Sequence, residues 1–138
     1  MSPGPERALA TVETFLGCSQ SRDWARAESV LHESIVRTGI DGSVTSGRSE
    51  YLGFLVGVLD DVRDYRADVA RMVASGDGAV VLVQIHEELT EADGTHLEVT
   101  EAMVFDVDDD GLITSLTVYA KSDGAAAAPP GPLISRSS

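Results

Sequence analysis

The stretch of the chain best suited to chemistry is residues 97–113, LEVTEAMVFDVDDDGLI. Every second residue gives Leu97, Val99, Glu101, Met103 and Phe105. In a strand these side chains share one face. Four are apolar and the central one is a carboxyl. Charge on an apolar face is costly, so the Glu101 carboxyl is expected to hold its proton well above the usual carboxylate range unless a cation lies near. Such a group serves as a general acid or as a neutral hydrogen-bond donor.

Two Asp-Gly pairs suggest what lies beside Glu101, since this dipeptide between alternating runs marks a tight hairpin. A two-residue turn at Asp93-Gly94 predicts Glu101 opposite His86, Met103 opposite Gln84 and Phe105 opposite Leu82. A two-residue turn at Asp110-Gly111 predicts Glu101 opposite Ala120, Met103 opposite Val118 and Phe105 opposite Leu116. Both registers gather one face, with Val80, Leu82, Gln84 and His86 on the first strand. That face is apolar except for Gln84, His86 and Glu101.

The remaining candidates are weaker. Asp106, Asp108, Asp110 and Gly111 match the first half of a calcium loop, but the twelfth position is Thr117 rather than Glu and the flanks read as strands. A charged hairpin turn is expected. No His, Asp or Glu cluster has metal-ligand spacing in the sequence, so no metal is predicted. His32 and His96 read as surface groups, and Cys18 as packing. Trp24, Tyr51, Phe54 and Tyr65 are core or pocket-lining aromatics. Arg37 and Arg71 lie on strand-like segments where they could pair with acids. An arginine between two carboxylates would suggest epoxide hydrolysis.

These residues need a frame. Ala8, Val12, Phe15 and Leu16 follow helical spacing. Ser21 can cap a second helix carrying Trp24, Ala27, Val30 and Leu31. IVRTGI reads as a short strand. SGRSEYLGFLVGVLDDV reads as a third helix, capped by Ser46 or Ser49. Four strands follow, YRADVARMVA, AVVLVQIHEEL, HLEVTEAMVFDV and LITSLTVYAK, separated by Gly-containing turns. Helices followed by an antiparallel meander form an α+β pattern with a pocket between the layers.

The chain has 138 residues, near the size of one domain, and buries roughly two-thirds of its unfolded surface at that length. Residues 1–121 read as one domain, and the Ala/Pro/Gly/Ser tail 122–138 as disordered. A net charge of −13 argues against nucleic acid and anionic membrane as partners. One cysteine, no membrane-length apolar run and no signal-like start point to a soluble cytoplasmic protein.

RDWARAESVLHESIVRTG followed by EAMVFDVDDDGLITSLTVYAK resembles the nuclear-transport-factor-2-like superfamily, and within it the branch of ketosteroid isomerases and SnoaL-like polyketide cyclases. The resemblance covers most of residues 8–121. It implies a cone of three helices closed by a strongly curved, mixed but mainly antiparallel sheet around an apolar pocket, with no cofactor, and often a homodimer. Glu101 falls where the isomerases keep a neutral carboxylic acid. Their oxyanion tyrosine would fall at Phe15, and their base near Thr38 or Gly39; neither position has the needed group, and Asp41 is the nearest acid.

The resemblance therefore implies a cyclase or isomerase for a small apolar, polyketide-type intermediate. Glu101, Asp41 and His86 are its expected acid–base groups. Gln84, Trp24, Tyr51, Phe54, Leu82, Met103, Phe105, Leu116 and Val118 are its expected substrate contacts. An epoxide hydrolase of the same fold is the alternative enzyme. A non-catalytic binding or dimerisation module is the alternative from another class. Two acids facing each other in an open pocket would favour the enzyme, and large side chains closed around Glu101 the module.

Overall fold

The computed structural model describes residues 4–121. The tail expected to be disordered lies outside them. The elements run α1 (Pro5–Ser21), α2 (Trp24–Val30), β1 (Leu31–Thr38), β2 (Val44–Ser46), α3 (Arg48–Asp60), β3 (Val62–Ala74), β4 (Val80–Glu91), β5 (His96–Val107) and β6 (Ile113–Ala120). The strands form one sheet in the order β2-β1-β6-β5-β4-β3. Only the β1–β6 pairing is parallel. This is the three-helix, curved-sheet cone expected from the sequence. Among the described residues no helix is long and apolar enough to cross a membrane.

The helices form where the spacing predicts, but their ends are set differently. Asp23, not Ser21, caps α2, its Oδ1 accepting from Arg26 N at 3.2 Å. Ser21 instead donates back to Gly17 O within α1. The α3 N-cap is Gly47 at φ 96°, with no side-chain cap. Leu31 opens β1 rather than closing α2, so β1 is longer than expected. The short β2 hairpins back onto it, with Gly47 N donating to Ile35 O at 2.7 Å.

The core lies between the helices and the concave face of the sheet. Phe15 of α1 stands between Tyr51 of α3 and Phe105 of β5, with ring centroids 6.0 and 6.1 Å away. All three are buried, as are Met103, Leu116 and Val118 on the sheet.

One register differs from expectation, and it matters most. The turn before β5 has three residues, Ala92-Asp93-Gly94, between Glu91 and Thr95, with Gly94 in the left-handed region at φ 92°. The extra residue shifts the pairing by one. Glu101 therefore lies opposite Ile85, not His86; Met103 pairs with Val83 and Phe105 with Val81. Because side chains alternate, this slip moves Leu82, Gln84 and His86 to the outer face and brings Val81, Val83, Ile85, Glu87 and Leu89 inward. The turn before β6 also has three residues, Asp109-Asp110-Gly111. There a bulge at Asp106/Val107 absorbs the extra residue, and Glu101 meets Ala120, Met103 meets Val118 and Phe105 meets Leu116 as expected. Asp108 Oδ1 accepts from Asp110 N and Leu112 N, both at 2.9 Å, so the acidic run is spent on closing this turn.

Two glycines test the backbone account with opposite signs. Gly94 has room for a methyl group but sits at φ 92°, whereas Gly57 lies inside α3 with ordinary helical geometry and open space around it. Gly94→Ala is expected to destabilise by about 1 kcal/mol, and Gly57→Ala to stabilise by about 0.5–1 kcal/mol, read as urea midpoints.

Candidate active site

The corrected register places two carboxyls on the concave face. β5 presents Glu101 between Val99 and Met103, and β4 presents Glu87 between Ile85 and Leu89. Glu101 is 2% exposed and Glu87 1%. β1 adds Arg37, 1% exposed, because Ile35 and Arg37 alternate inward while Val36 points out. Helix α3 lays Tyr51 and Phe54 over them, with the Arg37 guanidinium 4.8 Å from the Phe54 ring centre. From β3, the Tyr65 hydroxyl donates to Glu87 Oε2 in a short hydrogen bond.

The electrostatics of the pair are unequal. Burial pushes the Glu101 carboxyl up to about 11, and the facing Glu87 adds to this; Arg37 opposes it. Glu87 is also raised by burial, but contacts from Glu101 and Tyr65 and the charge of Arg37 hold it back, as does His86 from across the strand. The two carboxyls are close enough to shift each other, yet neither Glu101 oxygen makes a hydrogen bond of full geometry among the described residues. Glu101 is thus the member of the pair pushed further toward its neutral form. Burial keeps both phenols, Tyr51 and Tyr65, neutral far above the usual tyrosine range.

Buried polar atoms normally have partners, and leaving one without costs about 1–3 kcal/mol. Among the described residues Tyr51 OH, Glu87 Oε1 and both Glu101 oxygens lack one. They belong to groups that sense one another's charge, with Arg37 acting on all three. A ligand carrying one or two oxygens inside an apolar body suits such a place.

The structure gathers only part of the residues named from the sequence. Glu101, Tyr51, Met103, Phe105, Leu116 and Val118 share the concave side, and Trp24 and Phe54 pack against it half-buried. His86, Gln84 and Leu82 lie on the opposite face of the sheet. Asp41 is exposed in the turn between β1 and β2, where its Oδ1 accepts from Ser43 N at 2.8 Å. Glu87 is the residue the sequence reading omits. Its signal is the row Val81, Val83, Ile85, Glu87, Leu89, which has the same form as the row around Glu101.

The raised Glu101 carboxyl has a consequence for stability. Its contribution is fully present below its ordinary value of 4.5 and is lost as pH rises toward about 11, since only the unfolded chain ionises freely there. Glu101→Gln is therefore expected to flatten the fall in stability between pH 5 and pH 9. Urea titrations at several pH values measure this, and equal slopes for both proteins would count against a buried neutral acid.

A family description, SnoaL-like domain, matches residues 12–116. A search of curated proteins finds no match. Among solved structures, an LEH-like epoxide hydrolase of M. tuberculosis superposes with a TM-score of 0.76 at 25% identity, covering 86% of each chain. A Δ5-3-ketosteroid isomerase from Mycobacterium sp. gives 0.73 at 23%, covering 85% of this chain and 93% of that one. An epoxide hydrolase/cyclase-like enzyme of pyran ring formation in polyether salinomycin gives 0.71 at 19%, covering 84% and 92%. With the family match spanning most of the folded residues and the cone fold shared, the chain belongs to the SnoaL-like family of the nuclear-transport-factor-2-like superfamily.

Proposed function

We propose that this chain is a cofactor-free enzyme that opens an epoxide on an apolar, polyketide-type intermediate of natural-product biosynthesis, acting in the cytoplasm. The observation that carries this reading is the pair of facing buried carboxyls with Arg37 beside them. Two carboxyls pushed to different protonation states are the general pattern of an acid and a base. Glu101 is the acid and Glu87 the base. The mycobacterial epoxide hydrolase among the structural neighbours supports the same chemistry. Steroid-type isomerisation fits less well, because Phe15 stands where the oxyanion tyrosine is expected.

In the proposed step a hydroxyl, from water or from the substrate itself, gives its proton to Glu87. Its oxygen forms a bond to an epoxide carbon. The bond from that carbon to the epoxide oxygen breaks, and this oxygen takes the electron pair and the proton of Glu101. Tyr51, kept neutral, would donate to the same oxygen. Arg37 steadies the carboxylate charge at each stage. One proton then passes from Glu87 to Glu101 to restore the starting state. Water gives a diol; an internal hydroxyl gives a cyclic ether, which is the cyclase form of the reaction. Holding such a substrate folded contributes further to the rate. Trp24, Phe54, Tyr65 and Leu97 are each partly exposed beside the site and would form its mouth.

The near-complete burial of Glu87 and Glu101 favours a second reading, a non-catalytic binding module. Turnover separates the two. With apolar epoxides as substrates, Glu101→Gln and Glu87→Gln are each expected to slow product formation by about 100-fold or more, and the wild-type rate to fall at both acid and alkaline pH. Oxygen-18 water marks diols and leaves cyclic ethers unlabelled. Full activity in both folded variants would overturn the acid–base reading, and ligand binding without turnover would favour the module.

A homodimer is the assembly we propose, joined through the outer face of the sheet. A groove of about 620 Å³ lies there, lined in part by Val73, Leu82, Ala102 and Tyr119. Val73, Leu82 and Tyr119 are more than half exposed, and apolar patches of this kind mark association surfaces. Arg71 and Lys121 at the groove offset the repulsion between two acidic copies. Leu82→Glu is expected to convert a dimer to a monomer in sedimentation velocity without changing the circular dichroism. A wild-type monomer at micromolar concentration would exclude this assembly.

A further inference from the structure

Two of the three histidines, His86 and His96, come together on the outer face of the β4–β5 hairpin. β4 supplies His86 and Glu88, two residues apart and hence on one face. β5 supplies Glu98, directly opposite Glu88. His86 Nε2 is 3.1 Å from Glu98 Oε1 and 3.7 Å from Glu88 Oε1. One ligand atom from each of these three residues lies within 4.8 Å of the others. The other ring nitrogen, His86 Nδ1, is 3.1 Å from Thr100 Oγ1. His96 repeats the arrangement, with Nδ1 3.3 Å from Thr90 Oγ1 and Nε2 3.8 Å from Glu98 Oε2. Each imidazole is thus turned by a threonine so that Nε2 faces one oxygen of Glu98.

Two features set this cluster apart from an ordinary charged surface. Glu88 and Glu98 are direct cross-strand neighbours, and like charges so placed destabilise a sheet. The nearest strand cation does not relieve them: Arg66 pairs with Glu88 in the β3–β4 register, but its guanidinium turns to Asp68 at 3.0 Å. The second feature is the tethered imidazole. A histidine that ligates a metal characteristically has its remote nitrogen held by a hydrogen bond, which fixes the ring and directs the free nitrogen at the ion.

We propose that His86, Glu88 and Glu98 form a surface site for a borderline divalent cation such as Zn²⁺, with His96 steadying the second oxygen of Glu98. One imidazole nitrogen and two carboxylate oxygens, with water in the open positions, suit Zn²⁺ and its transition-metal neighbours. Ca²⁺ and Mg²⁺ prefer all-oxygen shells and bind more weakly. The donors come from two strands, so no linear spacing in the sequence displays them. The site is on the far side of the sheet from Glu101 and uses none of the groups assigned to the proposed catalysis.

The test is calorimetric titration of tag-free, chelator-treated protein with zinc chloride. One ion per chain is expected at roughly micromolar Zn²⁺. His86→Ala should abolish this uptake, Glu98→Gln should weaken it, and Thr100→Val should weaken it about tenfold by releasing the ring. Millimolar Ca²⁺ should not displace the ion. Substituting Co²⁺ gives a visible spectrum that His86→Ala should remove. All these side chains are at least partly exposed, so the variants are expected to keep the wild-type circular dichroism. Absence of saturable uptake, or uptake unchanged in His86→Ala, overturns the proposal.

Discussion

Two carboxyls are held as diagonal cross-strand neighbours on the apolar side of one sheet, and the rest of the structure is arranged around that cost. An isolated ionised carboxylate in such a place is prohibitive. The fold meets the problem in three ways. Glu101 keeps its proton. Tyr65 donates to Glu87. Arg37, brought across by β1, supplies one positive charge to both. These groups come from four different strands, β1, β3, β4 and β5, so the site exists only when the sheet is assembled.

The parallel β1–β6 pairing is what makes this possible. It brings the chain from the helices to an interior place in the sheet, beside β6, which alone separates it from the strand of Glu101. Helix α3 then closes over β1, placing Phe54 against the guanidinium and Tyr51 against Phe15. The same aromatic packing that builds the core therefore shields the charged cluster from water, which strengthens every interaction within it. Within one chain the outer face carries no such cover; its apolar groove and its histidine–glutamate cluster are at least partly exposed.

Much of the fold is legible in the sequence because the helical spacing of Ala8, Val12, Phe15 and Leu16 and the alternation around Glu101 are strong local signals. The inward place of Glu101 follows from its four apolar neighbours alone. Its partner does not, because register depends on turn length. Asp93-Gly94 reads as a two-residue turn, whereas the chain uses Ala92 as well, and that one residue exchanges His86 for Glu87. The burial of Arg37 is equally hidden: it depends on β1 being covered by α3, a long-range contact with no local signature. Asp41 lies near Thr38 and Gly39 along the chain, but the tight turn at residues 39–43 points it to solvent.

The β4 strand has a consequence for how such a site can change. Its two faces are both usable: one carries Val81, Val83, Ile85 and Glu87, the other Val80, Leu82, Gln84 and His86. Which set faces the helices is decided by the length of the loop at residues 92–94. Loss of a single codon there would present an imidazole and an amide to Glu101 in place of a second acid, with every residue of the strand unchanged. In a cone of this kind the length of one loop can therefore exchange the groups that stand beside a buried acid while the strand sequences stay the same.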